Sequence, residues 1–74
     1  MPRLRHNVIE TLAQIESEAK PRFSAGIVLW DDKVIEAADI VKYMKGWARD
    51  RVRSYCAQRG WEVRVVWEMV RNPP

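Results

Sequence analysis

Between Asp39 and Gly60 the apolar residues of this chain return every three or four positions: Val41, Met44, Ala48, Val52 and Tyr55. That period places them on one face of a helix. Lys42, Lys45, Arg49 and Arg53 repeat the same spacing one residue later, so a basic stripe runs beside the apolar one. Gly46 lies within the period, where a helical glycine costs about 1 kcal/mol relative to alanine. The apolar seam passes through it in register, so the pattern permits one kinked helix or two short ones. Gly60, following Arg59, is a helix exit.

Three other segments carry a pattern. Asn7 with Glu10 three residues on resembles a capping box, and Val8, Leu12, Ile15 and Ala19 form a one-sided stripe that Pro21 closes, which predicts a helix over residues 8–19. Phe23 to Trp30 is rich in β-branched and aromatic residues and predicts a strand. Trp61 to Val70 alternates, with Trp61, Val63, Val65, Trp67 and Met69 on one face and Glu62, Arg64, Val66 and Glu68 on the other. Asp31-Asp32 has two readings: the cap of one helix over residues 33–58, or a hairpin turn into a second strand over residues 33–37. Val34 and Ile35 are β-branched, Asp39 offers a fresh N-cap, and a 26-residue helix is long for a chain of 74 residues, all of which favour the hairpin.

The order helix, strand, strand, helix (kinked or broken at Gly46), strand predicts an α+β fold with a small three-stranded, mainly antiparallel sheet packed on helices. One domain over residues 1–74 is expected, with residues 1–6 a basic arm and residues 71–74 a tail. The second sheet face, carrying Val28 or Trp30 and Val66 among charges, awaits cover by the first helix or by a second subunit, so a homodimer is expected.

So short a chain buries only roughly 60% of its unfolded surface. Neither a disulfide framework nor a structural zinc can reinforce it, because Cys56 and His6 are the only residues of their kinds. Two supports remain, a load of large aromatics or a partner chain; the four tryptophans favour the first and are also compatible with an interface. No stretch approaches the ~18 apolar residues of a membrane span, and no secretory signal is visible. A soluble, cytoplasmic protein without metal or cofactor is expected. The net charge of +3 is concentrated: residues 38–60 hold Lys42, Lys45, Arg49, Arg51, Arg53 and Arg59 against Asp39 and Asp50.

The run from Ile27 through the hairpin to Gly46-Trp47, with Val52-Arg53-Ser54-Tyr55 and Arg59-Gly60-Trp61 after it, resembles short proteins encoded by bacteriophages and mobile elements. The resemblance covers about residues 26–61 and implies no particular chemistry. It implies an accessory or inhibitory factor, a class to which anti-CRISPR proteins belong.

Catalysis has little to stand on. Cys56 shares the apolar side of its helix with Val52 and Tyr55, His6 lies in the arm, and Gly26, Gly46 and Gly60 are too scattered for a phosphate loop. A non-enzymatic binding module is therefore expected, with Lys42, Lys45, Arg49, Arg53, Tyr43 and Trp47 as the contact residues. The expected partner is a protein or nucleoprotein complex. Nucleic acid is the alternative, through the cations and a stacking Trp47 or Tyr43. The plain reading of the same stripe is a solvated face. Arg51, one turn from Trp47 and Tyr55, is placed to cover an aromatic ring.

Overall fold

The computed structural model describes residues 7–71. The arm at residues 1–6, with His6, and the last three tail residues lie outside them. Four strands form one antiparallel sheet: β1 (Val8–Ser17), β2 (Phe23–Trp30), β3 (Lys33–Ala37) and β4 (Glu62–Arg71), in the spatial order β3-β2-β1-β4. A 3-10 turn (Asp39–Met44) and one helix, α1 (Arg49–Arg59), connect β3 to β4. Arg71, expected in the tail, is the last residue of β4.

The predicted first helix is a strand, and the sheet has four strands rather than three. Residues 8–17 satisfy both periods. At period two, Thr11, Ala13, Ile15 and Ser17 turn to the buried side, and two of these carry hydroxyls. Those hydroxyls hide the alternation that marks a half-buried strand, while Val8, Leu12 and Ile15 happen to match a helical stripe. What decides is distant. β1 is central and pairs with β2 from Glu10↔Trp30 to Ser17↔Phe23 and with β4 from Val8↔Arg71 to Glu16↔Glu62. Pairing on both sides satisfies the backbone of the whole segment, and such context overrides a weak local preference. Asn7 therefore caps no helix, and Glu10 pairs instead with Arg71 across the sheet.

The hairpin reading holds at Asp31-Asp32. Asp31 takes the left-handed conformation the turn requires, with φ of 55°. Its carboxylate accepts the N–H of Ile9 (3.1 Å), and its own N–H donates to the Ile9 carbonyl (2.8 Å), so the turn is tied to the start of β1.

Gly46 breaks the helical segment rather than kinking it, at φ of 91°. Its N–H donates to the Val34 carbonyl (2.8 Å), and the Val34 N–H donates to the Trp47 carbonyl (2.9 Å). Residues 46–48 thereby cover the Lys33–Val34 end of the outer edge of β3 before α1 begins. Gly60 ends α1 in the left-handed conformation, and the Trp61 N–H reaches back to the Cys56 carbonyl at 2.8 Å.

The core lies between one face of the sheet and the helical layer. Ile15, Ile27, Leu29 and Val34 meet Val41, Met44, Val52 and Cys56, all essentially inaccessible to solvent. Ala48, expected in this seam, is exposed, because the chain is extended at that residue.

β4 departs from its expected alternation in one place. Leu12 faces Trp67 and Ala13 faces Val65, so Val66 is an extra residue, a β-bulge. Cross-strand partners share a face. Val63 and Val65 therefore lie on the helix side with Ile15 and Ala13, but Trp67 and Met69 turn to the opposite face with Leu12 and Glu10. The single core face expected from Trp61 to Met69 is split between both sides of the sheet.

Candidate functional site

The six residues expected to make contact do not form one stripe. The break at residues 46–48 divides them. Lys42, Tyr43 and Lys45 border a shallow hollow with Ile35, Glu36 and Ala37 at the β3 side. Arg49 and Arg53 sit on the other flank of α1, at the rim of a cavity of about 110 Å³ walled by Ala13, Ile27, Leu29, Val52, Val63 and Val65. That volume is well below the roughly 300–1,000 Å³ of small-molecule sites.

Arg49 is occupied within the fold. Its Nη2 donates to the Thr11 hydroxyl (2.9 Å) and to the Glu68 carboxylate (3.1 Å), and Thr11 donates to the same Glu68 oxygen (3.0 Å). Its Nε stands 3.6 Å from the Asp32 carboxylate, and its backbone N–H donates to the Asp32 carbonyl (2.7 Å). The hydrogen bonds from Arg49 and then Thr11 hold the Glu68 carboxyl below its ordinary range. Lys42, Lys45 and Arg53 are exposed and make no ion pair among the described residues.

Trp47 and Tyr43 belong to a chain of rings along the flank of α1. Trp47 packs on Tyr55 (centroids 5.2 Å apart), Tyr43 on both (5.7 Å each), Tyr55 on Trp61 (5.8 Å) and Trp61 on Phe23 (4.8 Å). Arg51 lies 3.9 Å above the Trp47 ring, as its spacing suggests, and Arg59 lies 4.3 Å above Tyr55. Desolvation of the Tyr43 hydroxyl, reinforced by the neighbouring Tyr55 phenol, pushes it up to about 12, so it stays neutral at physiological pH. Two of the stretch's cations, Arg51 and Arg59, are thus engaged with its rings.

The open face of the sheet, opposite α1, carries Val28 and Trp30, as expected of the second face, together with Trp67 and Met69, which the alternation had placed on the core side. Its rows follow from the strand register: Trp30, Glu10 and Met69 in one, Glu36, Val28, Leu12 and Trp67 in the next, then Gly26, Gln14 and Arg64. Trp30, Trp67 and Met69 are 38%, 39% and 46% exposed around the half-buried Leu12 and Val28. Ion pairs frame this patch, Arg71 with Glu10 on one side and Arg64 with Glu16 (3.4 Å) on the other. The bulge at Val66 concealed that the tryptophans of β2 and β4 share this side.

No three or more His, Cys, Asp or Glu side chains gather into a metal-binding group among the described residues, nor is any described helix long and apolar enough to cross a membrane. Burial raises the Cys56 thiol above its ordinary value, away from nucleophilic use. Comparison with protein-family models, curated proteins and solved structures gives no match.

Proposed function

We propose that this chain is a small, non-enzymatic protein-binding module, an inhibitor or regulator of the bacteriophage or mobile-element type, that lays the open face of its sheet on a partner protein. One observation carries the reading: Trp30, Trp67 and Met69 stand exposed together on a face whose charges nearly balance. Glu10, Glu16, Glu36 and Glu62 are set there against Lys33, Arg64 and Arg71. Tryptophan, methionine and arginine are enriched where proteins meet, whereas phosphate binding needs an excess of cations.

The nucleic-acid alternative belongs to the helical layer, where Lys42, Lys45 and Arg53 are exposed. A mobility-shift and anisotropy panel with duplex DNA, single strands and structured RNA, at low and physiological salt, separates the two. The expected result is no saturable binding at micromolar protein. Micromolar or tighter binding with a steep salt dependence would replace this proposal with the alternative.

A further inference from the structure

The sheet has two edges, and residues 46–48 bond to the β3 edge at Lys33 and Val34. Among the described residues no strand lies beside the outer edge of β4. It is ten residues long, and Val65, Val66 and Val70 are 51%, 49% and 64% exposed. An uncovered edge of this length and composition is a template for another strand.

We infer that β4 pairs with β4 of a second copy of this chain, antiparallel, about a two-fold axis passing between Val66 and Trp67. The register follows from the bulge. Val63, Val65, Glu68 and Val70 face the helix side, and Glu62, Arg64, Trp67, Met69 and Arg71 face the open side. Strands that pair must match face to face. An axis through Val66 sets Glu62 against Val70 and Arg64 against Glu68, which point to opposite sides of the sheet. An axis between Val66 and Trp67 matches the four pairs that flank it, Glu62 with Arg71, Val63 with Val70, Arg64 with Met69 and Val65 with Glu68, and leaves the bulge residue Val66 opposite Trp67 at the axis. Both bulges then meet at the axis, so neither throws the two ladders out of step.

Charge selects the same arrangement. Glu62 makes no ion pair in its own chain among the described residues, and its cross-strand neighbour is another carboxylate, Glu16. Arg71 of the second copy, whose guanidinium already pairs through Nε with Glu10 of its own chain, brings a cation beside Glu62, and symmetry makes the contact twice. The product is a continuous eight-stranded sheet with both helices on one side and both open faces on the other. This assembly does not rest on the function proposed above, because the β4 edge is distinct from the open face.

Light scattering combined with a cysteine pair tests it. The chain is expected to run at twice its 8.7 kDa mass. In Val63→Cys/Val70→Cys protein, air oxidation is expected to give covalent dimers on a non-reducing gel. The two sites are seven residues apart along one extended strand, about 23 Å, so they cannot close within a chain. Each single variant is expected to stay uncrosslinked. Glu62→Arg, an exposed change that sets two arginines together across the axis, is expected to weaken the dimer at least tenfold with an unchanged circular dichroism spectrum. A monomer at the highest soluble concentration, a dimer whose doubly substituted form fails to crosslink, or a folded Glu62→Arg protein with undiminished association would overturn the inference.

Discussion

Arg49 joins the start of α1 to the hairpin turn through Asp32, to the middle of the sheet through Thr11, and to β4 through Glu68. Its period in the sequence matches that of Lys45 and Arg53, yet its partners lie 38 and 19 residues away. No local spacing announces a tie of that kind. The ring contact of Arg51 was legible because Trp47 is only four residues from it. The Arg49 tie sets a pH dependence. Glu68 is held below its ordinary range by Arg49 and Thr11, so its contribution is fully present above the unfolded carboxylate value of about 4.3. It is lost as pH falls through the lower folded value. Urea unfolding midpoints followed from pH 6 down to pH 2, roughly spanning carboxylate titration, are expected to fall less steeply for Glu68→Gln than for the natural chain. Parallel curves would show that Glu68 plays no such part.

Among the elements, β2, the hairpin, β3, the exit at Gly60 and the span of β4 were legible, because turn chemistry and alternation are local; at Gly46 the pattern left a kink and a break both open. β1 was not legible, since its buried side carries Thr11 and Ser17 and its identity depends on pairing with β4, whose partner residues lie 46 to 63 positions later. The Val66 bulge was not legible either: Val66 interrupts the alternation, but one apolar residue among charges reads equally well as an exposed side chain in an unbroken strand. Two glycines give opposite expectations for one substitution. An added Cβ meets nothing within 4 Å at Gly46 or Gly26, so only the backbone decides. At Gly46, with φ of 91°, alanine is expected to cost about 1–3 kcal/mol. Gly26 lies within β2, where alanine is expected to stabilise by up to about 1 kcal/mol. Chemical denaturation of the two variants checks this, and the same sign at both positions would contradict the conformations described.

Taken whole, the molecule has two unlike sides. The helical layer holds the excess of cations that the sequence localised, but Arg49 is tied into the sheet and Arg51 and Arg59 lie over rings. The sheet side is nearly neutral and displays exposed tryptophan and methionine between ion pairs. Burying such a surface is favourable at roughly 25 cal/mol per Å² of apolar area, and the balanced rim carries no net attraction for phosphate. The composition foretold the basic side. Only the pairing of β1 with both of its neighbours brings the other side together. The most direct measurement compares affinity capture from one bacterial lysate by three immobilised proteins: the natural chain, Val28→Lys/Trp30→Lys and Lys42→Glu/Lys45→Glu. The new lysines would stand beside Glu36 and Glu10, opposite charges that favour the strand pairing and leave the β4 edge untouched. A protein partner retained by the natural chain and by the Lys42/Lys45 variant, and lost by the Val28/Trp30 variant, is the expected result. Retention by the Val28/Trp30 variant with loss by the Lys42/Lys45 variant would contradict binding through the open face.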